Sequence, residues 1–166
     1  MKRSSLGTLY KKIHDIIILS LATGFGIGMI PKAPGTFGSL WGLVLVFAVN
    51  DQFPGPKGML IAGITTIIVG VFVCDRAGKY FCQKDPGKII IDEVAAFPIV
   101  FWGIPLNFPN AVIGFLLFRL FDISKPWPIK KLEKLPGGFG VMADDLMAGL
   151  YAWILFKTGL YFFSSV

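Results

Sequence analysis

Apolar runs recur along the whole chain, separated by short stretches rich in proline, glycine or charge. They cover residues 16–30, 40–49, 59–74, 89–106, 111–121 and 146–163. The stretch 31–39 carries Pro31, Pro34, Gly35 and Gly38, too many breakers for a helix interior, and reads as a loop that opens a helix. Residues 50–58, with Pro54, Gly55, Pro56 and Gly58, read as a turn, and residues 103–110, with Pro105 and Pro109 and no charge, as a second. Residues 75–88 and the stretch from Arg119 to Asp145 are polar, the latter with Gly137-Gly138-Phe139-Gly140 ahead of the last apolar helix. The run 59–74 is the cleanest membrane-crossing candidate. Two runs fall short of the ~20 residues of a full crossing, so their helices borrow length from polar ends or lie along the interface. The pattern predicts an all-α chain: one multi-helix integral membrane bundle over residues 1–166, without internal repeats or a linker.

Composition strengthens that picture. Hydrophobic residues make up 54% of the 166 and charged residues 16%, against ~25% charged in an ordinary soluble domain. With a mean hydropathy of +0.69 the polar side chains are too few to cover a compact body, and the remaining surface belongs against lipid. The net charge of +6 would point to nucleic acid in a soluble protein; here it is read as basic loops facing the cytoplasm and anionic headgroups, with no nucleic-acid partner. Lys2, Arg3, Lys11 and Lys12 ahead of an apolar run resemble a signal peptide, but no convincing A-x-A pattern follows. Cys74 and Cys82 lack C-x-x-C spacing and nearby histidines and read as inert packing residues.

Charge also assigns sides. The N-terminus, residues 75–88 and residues 119–134 hold nearly all the cations, whereas residues 50–58 hold only Lys57 and residues 103–110 none. If the basic connections are cytoplasmic, that face collects the 31–39 loop, Asp85, Asp92-Glu93, the segment from Arg119 to Lys125, and Asp144-Asp145.

Asp92, Glu93, Asp122, Asp144 and Asp145 lie in or beside apolar segments, where an ionised side chain costs ~2.5 to 3.5 kcal/mol on insertion scales. Arg119 and Lys125 can neutralise some of them as structural ion pairs. Five converging carboxylates without usable cysteine or histidine are hard oxygen ligands, the set for Mg2+ rather than zinc or copper, and magnesium points to phosphate chemistry. Lys32, Arg119 and Lys125 are placed to meet phosphate oxygens. The Gly35-Thr36 turn offers N–H groups and a hydroxyl to an anion, or is simply a helix cap. His14 stands alone, neither cysteine is followed by a well-spaced arginine, and no D-x-D-x-[TV] occurs, which leaves a metal-activated water as the simplest nucleophile. Gly24-Phe25-Gly26-Ile27-Gly28 lacks the βαβ context of a nucleotide loop, and Trp41, Trp102, Trp127 and Trp153 read as interfacial anchors.

Four blocks occur in order: Pro31-x-x-Pro34-Gly35-Thr36-x-Gly38-Ser39; Asp85-x-Gly87 with Ile91-Asp92-Glu93; Phe118-Arg119-x-Phe121-Asp122-x-x-Lys125-Pro126-Trp127-Pro128-Ile129; and Gly137-Gly138-x-Gly140-Val141-Met142-x-Asp144-Asp145-x-x-Ala148-Gly149. Together, over residues 24–150, they resemble the phosphatidylglycerophosphatase A family. The resemblance implies a bacterial inner-membrane enzyme, multi-pass with its active site on the cytoplasmic side. Such an enzyme uses magnesium to remove the terminal phosphate of phosphatidylglycerophosphate, giving phosphatidylglycerol and phosphate. By position, Asp92-Glu93 match the family's D-E pair, Asp122 and Lys125 its F-D-x-x-K-P block, Asp144-Asp145 its D-D pair, and Thr36 and Ser39 its P-G-T-x-G-S turn. Ala95-Ala96 depart from the family, which usually has glycine at the second position.

The resulting expectation has Glu93, Asp122, Asp144 and Asp145 as magnesium ligands, Asp92 as base or further ligand, and Lys125 as a catalytic cation. Lys32, Thr36, Ser39 and Arg119 are expected to bind substrate, with membrane lipid around the chain and no obligate protein partner. The rival readings are a cation- or proton-coupled transporter, disfavoured because the acids fall at helix ends, and a phosphatase of another phosphorylated lipid.

Overall fold

The computed structural model describes residues 2–83 and 86–164, with side chains described for 7–83 and 86–162; Lys84 and Asp85 lie outside the described residues. The chain is all-helical, with no strand among the described residues. The helices are α1 (Lys2–Ala22), α2 (Pro34–Gln52), α3 (Pro56–Phe81), α4 (Ile91–Val100), α5 (Phe108–Ser124), the single turn α6 (Ile129–Leu132) and α7 (Gly137–Ser164).

The short helix α4 is the centre of the bundle, packed against α2, α3 and α7. It is strongly apolar and places Asp92, Ala95, Ala96, Phe97, Pro98 and Val100 inside. Its aromatic rings sit where neighbouring helices carry glycine. A Cβ on Gly42 of α2 would lie 2.5 Å from the Phe97 ring, and one on Gly114 of α5 would lie 2.5 Å from the ring of Phe101, just past the end of α4. Phe97 also packs edge-on against Phe118 at 5.1 Å between centroids. Against lipid there is little hydrophobic drive for helices to associate, so close packing of this kind has to hold the bundle together. Ala96 meets Gly149 of α7, where an added Cβ would lie 3.3 Å from the Ala96 methyl.

Outside, the surface is apolar. Ile61 and Ile68 of α3 are each 66% exposed, and Leu116, Leu120 and Leu155 stand out in the same way. Helices α3 and α7 contain segments, Pro56–Phe81 and Gly137–Phe162, long and apolar enough to cross a bilayer. Two such helices in a chain whose large aliphatic side chains face outward are those of a membrane protein, because water does not tolerate an apolar surface of that extent.

Several expected boundaries move. Helix α2 begins at Pro34 rather than after the 31–39 loop, because proline is tolerated in the first turn and Gly35 to Ser39 continue the helix. Helix α3 runs on to Phe81, so Asp75, Arg76 and Lys79 stand on a helix instead of in a connection, with Asp75 and Lys79 paired one turn apart at 2.6 Å. Conversely the run 89–106 yields only ten helical residues, with Pro98 near the end and Gly103 in the left-handed turn beyond. Gly137 to Gly140 belong to α7 rather than to a loop before it. Cys82 is exposed at the left-handed end of α3, so of the two cysteines only Cys74 packs inside. Trp153 donates its indole N–H to the Trp102 carbonyl at 2.7 Å, tying α7 to the turn after α4.

Candidate active site

Four helices deliver polar side chains to one end of the bundle, and the sequence of each explains how. Ile90 anchors the start of α4 by donating its backbone N–H to the carbonyl of Ala22, the last residue of α1, at 2.9 Å. The next turn then carries Asp92 and Glu93, and carboxylates are favoured there by the helix dipole. The Glu93 backbone N–H donates to Asp92 Oδ1 at 3.1 Å.

Helix α2 presents glycine where Glu93 arrives. A Cβ on Gly35 would lie 2.5 Å from Glu93 Oε1 and 3.1 Å from Arg119 Nη1, and a Cβ on Gly38 would lie 3.0 Å from Glu93 Oε2. The Gly35/Gly38 face of the P-G-T-x-G-S block is thus the seat of the Glu93 carboxylate. Glu93 Oε2 is buried and has no hydrogen-bond partner among the described residues. A buried carboxylate oxygen in that state wants a cation or a proton.

Helix α5 brings Arg119 and Asp122, one turn apart, into a mostly buried ion pair. The helix ends at Ser124 because Pro126 disfavours helical geometry at the residue before it. Lys125 caps it in the left-handed region, φ 42°, a conformation that costs a non-glycine residue on the order of 1 kcal/mol. Its side chain is then fixed twice, Nζ donating to Asp144 Oδ2 at 2.8 Å and to Glu133 Oε1. Burial pushes the ammonium pKa down, but the two carboxylates outweigh it, and Lys125 stands above its ordinary range, fully protonated.

Helix α7 supplies Asp144 and Asp145 from its third turn, further inside than the helix ends where the sequence places them. Gly137 and Gly138 set its depth. A Cβ on Gly137, where φ is +61°, would lie 2.9 Å from Asp75 Oδ1, and one on Gly138 would collide with the Val71 carbonyl. The diglycine therefore lets the positive end of α7 dock directly on α3 beside the carboxylate of Asp75.

Asp92, Glu93 and Asp145 come together so that one ligand oxygen from each lies within 4.8 Å of the others. Asp92 and Asp145 are buried, 6% and 5% exposed. Three ionised carboxylates cannot share so small a space unpaired; they need a cation or shared protons. The donor set is entirely hard oxygen and fits magnesium. Asp122 lies near enough to Asp145 for their charges to interact.

Each expected site residue can now be located. Asp92, Glu93 and Asp145 form the cluster, Asp122 and Arg119 flank it as a pair, and Asp144 is engaged with Lys125. Thr36 is half-buried in the first turn of α2. Ser39 is fully buried and donates its hydroxyl to the Gly35 carbonyl at 2.8 Å, so it braces α2 rather than opening onto the cluster. Lys32 is exposed in the loop before α2, and no contact among the described residues ties it to the cluster. Sequence reasoning missed Glu133, an acid among Lys130, Lys131 and Lys134 that looked like part of a solvated basic segment. A lone acid within a run of lysines, close in sequence to Lys125, was the available signal.

The family described as Phosphatidylglycerophosphatase A matches residues 20–159. A Haemophilus influenzae protein named phosphatidylglycerophosphatase A is 40% identical over 145 residues, covering 81% of this chain and 83% of that protein. An Escherichia coli protein of the same name is 35% identical over 142 residues, covering 84% of this chain and 81% of that one. A Bacteroides thetaiotaomicron protein, provisionally named a phosphatidylinositol-3-phosphatase, is 34% identical over 141 residues, covering 81% and 88%. No solved structure matches the chain.

Proposed function

This chain belongs to the phosphatidylglycerophosphatase A family, and from that membership we propose that it hydrolyses the terminal phosphomonoester of phosphatidylglycerophosphate, with magnesium, to phosphatidylglycerol and phosphate. It is a lipid phosphatase and a membrane protein. The finer reading puts it in the bacterial cytoplasmic membrane as a multi-pass chain with the site at the cytoplasmic face. The distribution of basic residues supports that orientation.

The observation that carries the reading is the convergence of Asp92, Glu93 and Asp145 on one small volume beside Arg119. These three, with Asp122 alongside, would hold the metal. When bound, magnesium supplies charge to offset phosphate oxygens and acidifies water for attack on phosphorus. Around it the chain's own residues have separate tasks. Arg119 offers a guanidinium fork to equatorial phosphate oxygens, and Asp122 orients that fork. Lys125, protonated and held by Asp144 and Glu133, donates to the phosphate as charge builds on it. Gly35 and Gly38 keep the N-terminal turn of α2 close to the same point. The apolar flanks let the acyl chains stay in the bilayer, so only the headgroup has to reach the carboxylates. In this arrangement Asp92 reads as a ligand rather than a free base, since it stands inside the cluster.

The test is phosphate release by the purified chain in mixed micelles. Phosphatidylglycerophosphate, phosphatidylinositol 3-phosphate and a soluble phosphomonoester are compared, each with magnesium and then with a chelator. Release that is confined to phosphatidylglycerophosphate and stops with the chelator is expected. Preferential release from the inositol lipid, the reaction named for the Bacteroides relative, would replace the substrate assignment; undiminished release in chelator would overturn the metal assignment.

A further inference from the structure

A second polar feature lies apart from the carboxylate cluster, between α1 and α3. It is a cleft of about 490 Å³ whose polar wall is made by Lys11, His14 and Asp15 from α1 and by Arg76, Lys79 and Tyr80 from α3. The charges facing it are three cations and one carboxylate. Lys79 is paired with Asp75 at 2.6 Å, and His14 lies 3.5 Å from Asp15. Lys11 and Arg76 make no ion pair among the described residues. Arg76, which lines the cleft, has its guanidinium over the Phe72 ring, 5.2 Å from the centroid.

The surroundings identify the occupant. On α1, Leu9, Ile13, Ile16 and Ile17 recur at helical spacing on one side, each at least 46% exposed, while Lys11, His14 and Asp15 turn toward α3. The helix therefore shows lipid its apolar side and the cleft its polar side. Depth agrees: α3 has 26 residues, roughly 39 Å at 1.5 Å each, longer than a ~30 Å hydrocarbon core. Its last two turns, which hold Arg76, Lys79 and Tyr80, project to the level of the phosphates. A basic cleft at headgroup depth, walled by exposed aliphatic side chains, fits an anionic phospholipid: phosphate between Lys11 and Arg76, acyl chains along the outer face of α1.

We infer that the α1–α3 cleft is a binding site for one anionic phospholipid, distinct from the site of hydrolysis. The inference does not depend on the proposed substrate, and phosphatidylserine, neither that substrate nor its product, is the probe. The full-length chain is purified in detergent, and retention of phosphatidylserine and of phosphatidylcholine is compared by native mass spectrometry, with inorganic phosphate as competitor. One phosphatidylserine is expected to be held in preference to phosphatidylcholine. The double change K11Q/R76Q should weaken that preference by about thirtyfold, the equivalent of about 2 kcal/mol for two membrane-surface cations at 1.4 kcal/mol per factor of ten. Asp145→Asn, which disables the carboxylate cluster, and Lys131→Gln, exposed on the single turn α6, should leave it unchanged. Circular dichroism and elution volume establish that each variant is folded. Equal loss with Lys131→Gln would mean diffuse attraction and overturn the site. So would loss with Asp145→Asn, unaltered preference in K11Q/R76Q, or complete displacement by millimolar phosphate, which would make the ligand phosphate itself.

Discussion

Gly38→Ala separates the contribution of glycine to the site from its contribution to stability. The added methyl would lie 2.9 Å from Ile90 Cβ and 3.0 Å from Glu93 Oε2, in a position that is fully enclosed. Ordinary contact between carbons needs about 3.5 to 4.0 Å, so α2 or the Glu93 side chain has to yield by roughly 0.5 to 1 Å. Two opposing terms set the stability. Alanine is favoured over glycine inside a helix by about 1 kcal/mol, and overpacking costs about 1 to 3 kcal/mol. The net loss is about 0 to 2 kcal/mol, a fall in Tm of only a few degrees for a chain of this size. Catalysis has no such compensation, because displacing a ligand carboxylate by about 1 Å costs on the order of a hundredfold in rate. The assay is lipid phosphate release at saturating magnesium alongside thermal unfolding in the same detergent. Gly159→Ala is the control, since an added Cβ there meets nothing within 4 Å. A Gly38→Ala protein with at least half the normal rate would refute the claim that this glycine face seats Glu93.

Three further outcomes follow from the geometry. Glu133→Gln removes one of the two carboxylates that hold Lys125 and should lower kcat by about tenfold with little change in KM, a charge-assisted hydrogen bond being worth about 1.5 kcal/mol; steady-state kinetics decides it. Gly138→Ala should be more destabilising than Gly38→Ala, because its Cβ overlaps the Val71 backbone, which cannot rotate away; a loss of folded protein on size-exclusion chromatography tests this. Trp153→Phe removes the hydrogen bond to the Trp102 carbonyl and should cost about 1 kcal/mol in thermal unfolding while leaving the phosphatase rate intact, since that contact lies two turns, about 12 Å, along α7 from Asp145.

What the sequence made legible follows from how local each signal is. The helical class, the long apolar helices and the acids that cluster, Asp92, Glu93 and Asp145, are readable from runs and breakers, because a bilayer forces long apolar segments and penalises stray carboxylates. Helix ends were misjudged where tertiary docking overrides local chemistry. Gly137 to Gly140 read as a loop, yet they open α7, with Gly137 and Gly138 packed where α3 leaves no room for a side chain. Asp75 to Phe81 read as a connection, yet they extend α3 because its polar end emerges from the lipid.

Within the site, the sequence reading groups Glu93, Asp122, Asp144 and Asp145 as ligands and sets Asp92 apart, and space divides the five differently. Asp92, Glu93 and Asp145 share one volume, Asp122 answers Arg119, and Asp144 answers Lys125. No spacing rule distinguishes Asp144 from its neighbour; only the rotation of α7, which turns adjacent residues about 100° apart, does so. Glu133 was illegible because its partner stands eight residues away across a turn and its own neighbours are lysines. Ser39 is expected at the substrate because it matches the P-G-T-x-G-S turn of the resemblance, but its hydroxyl donates to its own helix.

The most direct test of the central claim is manganese titration of the purified chain, followed by electron paramagnetic resonance, with magnesium as competitor and with Asp145→Asn measured beside it. The account predicts tight manganese binding that magnesium displaces, and loss of both binding and phosphatase turnover in a variant that remains folded. Undiminished metal binding and turnover in Asp145→Asn would contradict it.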